Sequence, residues 1–256
     1  MNRVSYDSHI HLVDPYYSNI LPALLKSMRS LNIKACSMTV DIPTSSRGLD
    51  LFKQTDRDII LNFLGIHPEF ASYRNCARFE TIVDNNRKFI DGIGEIGLDR
   101  SFCESGEKYS EQEKVFKRML SIASGLKKPV SVHSRASLDD VLDNLSTFNN
   151  LPTCLHWFDG TEKQLERAMN MKLYVSYGPP VVYSKRKKKL LRLTDAEKIL
   201  IETDGPVRYH ACFEDVTSFP TSMLPSVINS ISQELAISFE ETSALIERNS
   251  SKYLDK

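Results

Sequence analysis

Residues 3–11 read Arg-Val-Ser-Tyr-Asp-Ser-His-Ile-His, a β-rich segment that runs into a pair of histidines. His9 and His11 are two residues apart, so on a strand their side chains leave the same face. Two neutral imidazoles a few ångströms apart can bind one divalent cation. A doubly wound open sheet would instead carry a glycine-rich phosphate turn after its first strand. The histidine pair in that place therefore favours a closed barrel.

Short β-rich apolar runs recur along the chain, and amphipathic helical patterns separate them. Eight strands that alternate with helices predict a parallel sheet, and eight repeats favour closure into a barrel. The strands are predicted at Arg3–Ile10, Ile33–Val40, Ile59–Ile66, Phe89–Glu95, Pro129–His133, Thr153–His156, Leu173–Tyr177 and Ile199–Thr203.

Helical periodicity predicts seven helices between the strands and two more after the last strand, with Ser238 capping the final one. No linker, low-complexity tract or composition shift divides the sequence. We therefore predict one domain over residues 1–256, an α/β fold in the form of a single (β/α)8 TIM barrel with extra C-terminal helices. The helices are predicted at Asn19–Leu31, Arg47–Thr55, Arg78–Arg87, Ser110–Leu126, Ser137–Thr147, Glu162–Met169, Ser184–Leu193, Ser222–Leu235 and Phe239–Asn249.

The bulk composition fits this architecture. The chain has 256 residues, the length at which a (β/α)8 barrel closes as one unit, and 41% of them are hydrophobic. Lys+Arg and Asp+Glu balance at 33 each, so no overall positive field would hold nucleic acid by itself. This balance does not exclude a nucleic-acid substrate, because bound cations would add local positive charge.

The cysteines and the first residues bear on the compartment. The start of the sequence lacks the apolar core of a signal peptide, and no stretch is long and apolar enough to span a bilayer. The cysteines are scattered without a CxxC pair, which argues against a disulfide framework and favours a reducing compartment. We therefore expect a cytoplasmic protein with no membrane partner. The five cysteines are Cys36, Cys76, Cys103, Cys154 and Cys212.

Five of the six histidines lie where a predicted strand ends. Barrel enzymes place their catalytic groups at this carboxyl-terminal face, whichever reaction they catalyse. Histidines scattered at random would also occupy helices and the opposite ends of strands. The concentration is the strongest functional signal in the sequence. It involves His9, His11, His67, His133 and His156, with Glu95, Glu202 and Asp204 at further strand ends.

Glu95 lies between glycines in an apolar run, where the glycines leave room for a metal or a substrate near the backbone. An unpaired carboxylate there would be costly, whereas one that bridges two cations would be compensated; a capping or salt-bridged glutamate is the alternative. His133 and His156 end consecutive strands beside it, although a single histidine in such a place is more often a core residue. Arg135 would lie at the cavity rim and bind a phosphate, or else form an ion pair at a helix start.

The last strand runs into Ile-Glu-Thr-Asp-Gly-Pro at residues 201–206. On a strand, Glu202 and Asp204 share one face, and Asp204 can bind a metal and accept a proton from water. For Glu202 we expect hydrogen bonds that support the ligands, a further cation, or contact with the substrate. The alternative is that both carboxylates only cap the next helix.

The densest charge run is Lys-Arg-Lys-Lys-Lys at residues 185–189. A solvated helix face is the simplest interpretation, but a position after the seventh strand would also let the run attract a polyanion. Several aromatic residues at or near predicted strand ends can stack nucleobases or merely pack. They are Trp157, Tyr177, Tyr183 and Tyr209.

Seven segments, in order along the chain, resemble the motifs of the TatD-type metal-dependent hydrolases, the TatD deoxyribonuclease family. Each segment alone is weak, whereas the ordered set is highly specific; a weaker similarity continues through residues 240–249. The segments are DSHIHL at 7–12, GIHP at 65–68, IGEIGLD at 93–99, Gln112 with Phe116, PVSVHSR at 129–135, HWFDG at 156–160 and ETDGP at 202–206.

The resemblance implies a (β/α)8 barrel, two divalent metal ions and hydrolysis of phosphodiester bonds, commonly by exonucleolytic attack on DNA. Asp204 and Glu95 would be the catalytic residues. Contacts to the substrate would come from His67, Arg135 and Glu202. Two ligand sets carry over by position: His9, His11, Glu95 and Asp204 for one metal, and Glu95, His133 and His156 for the other.

Some positions depart from the family motifs, and we expect them to line the mouth of the barrel and to bear on the substrate. Trp157 and Asp159 replace the usual Cys and Ser, and Gly205 replaces Ala. Arg100 stands where an aromatic residue often follows Gly-Leu-Asp. Residues 218–220, Ser-Phe-Pro, stand where the family has Asn-Glu before a proline.

We predict a metal-dependent nuclease with DNA as its partner, two divalent ions (Mg, Mn or Zn) as cofactors, and a monomer as the default state. The same metal site would also serve a hydrolase of carboxylic esters or amides, for example of a D-aminoacyl ester on tRNA. A metal-stabilised scaffold without activity is a further alternative. The complete ligand set and the candidate base argue against it.

Overall fold

The computed structural model describes residues 3–53, 55–103, 105–148, 150–213 and 217–255, and the side chains of residues 212 and 213 lie outside this description. The Cys212 thiol and residue 54 of the second predicted helix therefore lie outside the described part of the chain. Everything that follows concerns the described residues.

Within these ranges, eight parallel strands form one sheet in the order of the sequence, and this confirms the predicted barrel. Two backbone hydrogen bonds join the first strand to the residues just beyond the last. Asp204 N–H donates to His9 O (2.9 Å), and His11 N–H donates to Gly205 O (2.8 Å). The sheet is thereby almost closed. The strands are β1 (Ser5–Ile10), β2 (Ile33–Met38), β3 (Ile60–Leu64), β4 (Gly92–Asp99), β5 (Val130–Arg135), β6 (Thr153–Leu155), β7 (Tyr174–Tyr177) and β8 (Ile199–Ile201).

The helices surround this sheet, and among those described none has the length and apolar character needed to cross a membrane. They are α1 (Leu21–Ser30), α2 (Ile42–Phe52), α3 (Tyr73–Asn86), α4 (Gly106–Leu126), α5 (Leu138–Leu145), α6 (Glu162–Asn170), α7 (Pro180–Tyr183), α8 (Lys185–Leu193), α9 (His210–Phe213), α10 (Pro220–Leu235) and α11 (Phe239–Tyr253). Short 3-10 helices occupy Pro15–Tyr17, Pro68–Phe70, Arg87–Phe89, Arg100–Phe102 and Ala196–Lys198.

The helix ends follow capping residues more closely than hydrophobic periodicity. Ser238 caps α11 as predicted, since its hydroxyl accepts a hydrogen bond from Glu241 N–H (3.1 Å). The helices α2 and α3 begin earlier than predicted. Asp41 accepts from Thr44 N–H at the start of α2, and Ser72 accepts from the backbone in the first turn of α3. These side chains satisfy N–H groups that have no partner inside a helix.

The prediction that β4 ends at Glu95 is wrong, because the strand continues to Asp99. Its pairing with β5 extends to the pair Asp99–Arg135, and the intervening Ile96 and Leu98 are fully buried. Glu95 therefore lies inside a strand, at the register shift between Ile93 and Ile96, and its N–H donates to Thr39 O (2.9 Å).

The strands bury their side chains in two separate clusters, as expected when alternate residues point into and out of a barrel. The larger cluster lies between the strands and the helices. The smaller one includes Tyr6, Phe63 and Tyr174, and it also contains Tyr253 of α11. The Tyr253 ring centroid lies 5.4 Å from that of Tyr174, and its hydroxyl donates to Val130 O (2.9 Å). Helix α11 therefore closes the amino-terminal end of the barrel.

Candidate active site

A cavity of about 610 Å³ opens at the carboxyl-terminal end of the barrel. It is bordered by most of the predicted metal ligands and by the predicted rim residue: His11, Glu95, His133, His156, Asp204 and Arg135. The other predicted site residues, His9, His67 and Glu202, are buried beside or beneath this wall.

Four side-chain atoms converge at one side of the cavity. His9 Nε2 lies 3.3 Å from His11 Nε2, and Glu95 Oε2 lies 3.5 and 3.4 Å from these two nitrogens. Asp204 Oδ1 lies 3.7 Å from His9 Nε2 and 3.4 Å from His11 Nε2. A tetrahedral ion with bonds of about 2.0–2.2 Å needs ligand atoms about 3.3–3.6 Å apart. The two histidine nitrogens of this first donor group (His9, His11, Glu95 and Asp204) lie 3.3–3.7 Å from each other and from each carboxylate, close to the spacing that a divalent metal ion needs.

The chemistry of the first donor group fits a cation as well. His9 Nδ1 lies 2.9 Å from Ser131 Oγ, and burial lowers the pKa of His9 to about 4. The imidazole is therefore neutral near pH 7, and a proton on Nδ1 leaves the lone pair of Nε2 directed at the group. Burial tends to raise the pKa of Asp204, but the hydrogen bond with His11 and the charge interactions with His9 and His156 together outweigh it and lower that pKa. Lone pairs and carboxylates that face one another are suited to bind a cation between them.

Asp7 fixes the two chain segments that carry this group, a role that the sequence reasoning missed although it quoted the residue. Its carboxylate accepts hydrogen bonds from Thr203 N–H (3.0 Å), Thr203 Oγ1 (2.6 Å) and His9 N–H (3.2 Å). Asp7 is fully buried, and this burial raises its pKa to about 7. Because Thr203 precedes Asp204, the carboxylate sets the position of Asp204 relative to His9.

Glu95 also belongs to a second donor group (Glu95, His133, His156 and His67). Glu95 Oε1 lies 2.9 Å from His133 Nδ1 and 2.8 Å from His156 Nε2. His67, which was expected to contact the substrate, has its Nε2 3.7 Å from the same oxygen. Burial lowers the pKa of His67 to about 4, so this imidazole too is neutral. Its Nδ1 accepts from Glu69 N–H (3.3 Å), which leaves the proton on the Nε2 that faces Glu95.

Asp99 orients His133, and the sequence reasoning also missed this role. Asp99 Oδ2 lies 2.7 Å from His133 Nε2, while Oδ1 accepts from Ser101 N–H (2.7 Å). The backbone of Asp99 is fixed by Gln112, whose amide accepts from Asp99 N–H (3.0 Å) and donates to Asp99 O (3.1 Å). Burial alone would lower the pKa of His133, but its bonds to Asp99 and Glu95 raise it to about 9. Both Asp99 and Gln112 lie in the quoted motifs, so the signal was present.

The glycines around Glu95 leave room for the backbone of the neighbouring strand β5. This corrects the expectation that they leave room for a metal or a substrate. Gly97 has a φ of +152°, and a Cβ at this position would lie 2.0 Å from His133 O. A Cβ at Gly94 would lie 3.0 Å from Ser131 Cβ. The close approach of β4 to β5 is therefore what requires glycine here, and it brings Glu95 close to His133.

Glu202 lies beneath the cavity and not on its wall. Its Oε1 accepts from Trp157 N–H (2.7 Å), and its Oε2 accepts from Ser176 Oγ (2.5 Å). Burial raises the pKa of Glu202 to about 7. Its Oε2 lies 3.9 Å from His156 Nδ1, too far for a hydrogen bond. Of the roles expected for Glu202, this position fits support of the ligand-bearing loops and does not fit contact with a substrate.

The charge run on α8 contacts other protein groups. Lys187 is buried and donates to Phe158 O, and Lys189 pairs with Glu162. Lys188 pairs with Glu234 (3.2 Å). Lys185, Arg186 and Lys189 are exposed, which fits the solvated face expected for this segment, whereas the buried Lys187 does not. Arg135, in contrast, is exposed at the cavity rim.

Comparison with known proteins identifies the family of the chain. The family model described as TatD related DNase matches residues 6–255. The chain belongs to this family. It is therefore a TatD-family metal-dependent hydrolase, and the resemblance inferred from seven short segments is confirmed over almost the whole length.

Individual TatD proteins are similar to the chain over most of its length. Deoxyribonuclease TATDN3 of Homo sapiens is 27% identical over 211 residues, which cover 78% of this chain and 77% of that protein. The 3'-5' ssDNA/RNA exonuclease TatD of Escherichia fergusonii is 32% identical over 181 residues, 66% of this chain and 68% of that protein. The crystal structure of YJJV, a TatD homologue from Escherichia coli K12, superposes with a TM-score of 0.87 at 20% identity and covers 100% of both chains.

Proposed function

We propose that this TatD-family hydrolase uses two divalent metal ions to cleave phosphodiester bonds, and that it degrades DNA from an end. One observation carries the proposal. Glu95 Oε2 faces His9 and His11, whereas Glu95 Oε1 faces His133 and His156. A carboxylate with one oxygen in each donor group is suited to bridge two cations.

The residues that would hold the ions follow from these distances. When bound, the two ions would supply Lewis acidity, which lowers the pKa of water and neutralises charge on a phosphate. Imidazole-rich groups suit Zn²⁺, and carboxylates also admit Mn²⁺ and Mg²⁺. The first ion would be held by His9, His11, Glu95 and Asp204, and the second by Glu95, His133 and His156, with His67 beside it.

Asp204 is the residue we assign to proton transfer. Its side chain reaches the cavity with 12% of its surface exposed, so a water molecule can approach it, while Glu95 is 5% exposed. In this assignment an oxygen of Asp204 accepts the proton of the attacking water. Glu95 holds the two donor groups in register. Arg135, exposed at the rim, would hold a phosphate oxygen through its planar guanidinium.

DNA is proposed as the substrate on the names of the relatives and on the size of the cavity. One relative is named a deoxyribonuclease and another a 3'-5' ssDNA/RNA exonuclease. The cavity, at about 610 Å³, lies within the range of about 300–1,000 Å³ that is usual for small ligands. Such a cavity has room for a terminal nucleotide and not for a duplex, and this favours attack at the end of a single strand.

The test is to incubate the metal-reconstituted protein with single-stranded DNA labelled at its 3' or its 5' end, with Zn²⁺, Mn²⁺ and Mg²⁺ in separate reactions and EDTA as a control. We expect progressive, metal-dependent shortening, and the label that is released first gives the polarity. The Asp204→Asn protein should lack this activity. Asp50→Asn makes the same chemical change at an exposed position on α2 and should keep it.

DNA that stays intact with protein shown to contain two ions would contradict the nuclease proposal. The same samples would then be offered RNA, carboxylic esters and D-aminoacyl-tRNA. Cleavage of one of these substrates would assign the site to that bond instead.

A further inference from the structure

Trp157 is the single tryptophan of the sequence, and it contributes to the cavity wall directly after His156. Its side chain is half-buried, so part of the indole surface faces the space where a substrate would lie. The proposed hydrolysis does not use this residue. A large aromatic ring that keeps exposed surface in a cavity lined by charged groups is suited to bind a flat ligand group.

The Trp157 ring is supported from behind by a second ring. Tyr209 stacks on it with a centroid distance of 5.5 Å and an interplanar angle of 20°. Tyr209 is only 3% exposed, and its hydroxyl donates to Thr203 O (2.7 Å), which fixes the orientation of the phenol ring. The indole therefore rests on a rigid base that is bonded to the residue before Asp204.

The backbone of Trp157 is fixed as firmly as its ring. Trp157 has a φ of +46°, a left-handed conformation that a bulky residue adopts only when its surroundings hold it there. Its N–H donates to Glu202 Oε1 (2.7 Å) and lies 3.2 Å from Ser176 Oγ. The buried Glu202 therefore holds the loop that carries the indole ring.

The residues that follow Trp157 are held by the cations of α8. Lys187 Nζ donates to Phe158 O and lies 3.0 Å from the Asp159 carboxylate. Arg186 donates to Asp159 O (2.9 Å) and to Gly160 O (2.8 Å). The charge run thus orders the loop after β6, and the indole ring is in place before any ligand arrives.

We infer that Trp157, stacked on Tyr209, is a stacking platform for the nucleobase next to the scissile phosphate. The inference rests on the proposed nuclease function and adds how the substrate is held. Trp157 adjoins His156 of the second donor group, so a base on the platform would lie within one nucleotide of that group. Stacking on an aromatic side chain contributes about 5- to 150-fold in affinity per base and works for all bases, because every base has a π-face.

The alternative is that Trp157 only packs against Tyr209 and supports the fold. The two roles predict different substrate dependence. A structural residue affects every substrate alike, whereas a platform distinguishes a nucleotide from the same phosphate without a base. This difference gives a test that does not depend on cleavage.

The first measurement uses the emission of Trp157, excited at the red edge where tyrosine does not absorb. Zn²⁺-containing protein is titrated with thymidine 5'-monophosphate and, as the matched control, with 2-deoxyribose 5-phosphate. We expect saturable quenching by the nucleotide and none by the base-free phosphate, which should displace the nucleotide only at concentrations at least about fivefold higher. An equal response to both compounds, or no response to the nucleotide, would overturn the inference.

The second measurement compares DNA ends that carry a normal nucleotide with ends in which one nucleotide is replaced by an abasic tetrahydrofuran residue, at each terminal position in turn. Wild-type protein should prefer the normal end by about tenfold in kcat/KM, mainly through KM. Trp157→Leu should lose this preference, and Trp157→Phe should retain most of it. Equal losses on both ends in Trp157→Leu would overturn the platform.

The two proposals fail in different ways. Suppose that wild-type protein cleaves normal and abasic ends equally and that the nucleotide causes no quenching. This result would contradict the stacking role of Trp157 and still support the nuclease function. Quenching by the nucleotide in protein that cleaves no DNA would contradict the nuclease function and support a nucleobase site at Trp157.

Discussion

The two ends of the barrel are buried to the same degree with opposite chemistry. At the closed end, Tyr174 and Tyr253 belong to an apolar cluster that α11 covers. At the open end, Asp7, His9 and Glu95 are at most 4% exposed. Burial of apolar surface stabilises a fold, whereas burial of a charged group destabilises it unless partners compensate. The closed end therefore stabilises this barrel, whereas the open end holds groups that only the site requires.

The largest expected effect is at the closed end. Tyr253→Ala should lower the free energy of unfolding by about 3–5 kcal/mol, because it removes a large ring from the apolar cluster. Tyr253→Phe keeps the ring and loses only the hydrogen bond to Val130 O, so it should lose about 1 kcal/mol. Denaturant unfolding measures both changes. A loss of DNA cleavage per folded molecule in Tyr253→Ala, without a loss of stability, would mean that the closed end serves the site and does not stabilise the fold.

At the open end the expected effect is on catalysis. Asp204→Asn should lower kcat at least about a hundredfold, because it removes the group assigned to accept the proton. Its free energy of unfolding should fall by less than that of Tyr253→Ala, because the fold lowers the pKa of Asp204 and is therefore stabilised by the charge that the variant lacks. Cleavage rates and unfolding curves of the same preparation check both statements, with Asp50→Asn as the control. A near-normal kcat in folded, metal-containing Asp204→Asn would remove this residue from the proton-transfer role.

The next effect separates the two donor groups. In Asp99→Asn one carboxylate oxygen becomes an amide NH₂ group, so the side chain can no longer accept from both His133 and Ser101. Affinity for one of the two ions should fall about 10- to 100-fold, the usual result of removing the partner of a ligating histidine. Calorimetric titration with Zn²⁺ should show one weakened site and one unchanged site. Equal weakening of both sites would mean that the two groups do not act separately.

The smallest effect concerns the support of His9. Ser131→Ala removes the hydroxyl 2.9 Å from His9 Nδ1. The affinity for the ion of the first donor group should fall about 2- to 10-fold, as expected for the loss of one neutral hydrogen bond. The same titration detects it, and the site weakened by Asp99→Asn should now be unchanged. If both variants weakened the same ion, the assignment of His9 and His133 to different ions would be wrong.

Topology explains why the strand-end residues could be predicted. Parallel strands of a barrel end at one face, so histidines at several strand ends had to meet, although their separations in sequence are large. His9 and His11 do converge, with their Nε2 atoms 3.3 Å apart. The capping residue Ser238 predicted the start of the final helix, and the motifs indicated the family.

Long-range hydrogen bonds and backbone turns could not be predicted in this way. The bond from Thr203 to Asp7 joins residues 196 apart, and no local pattern indicates it. The expectation that Glu202 and Asp204 share a face assumed a strand through residue 203. Strand β8 ends at Ile201, and Asp204 has a φ of +50°. Asp204 therefore reaches the cavity while Glu202 lies beneath it.

The backbone hydrogen bond from Asp204 N–H to His9 O also bears on biosynthesis. The donor atoms are drawn from both ends of the barrel sequence, so a nascent chain presents its histidines long before the last carboxylate has been synthesised. The first donor group can be completed only when residue 204 has left the ribosome and the first strand has met the end of the eighth. Truncated chains that stop before this point would contain most of the ligands and yet have no complete metal site.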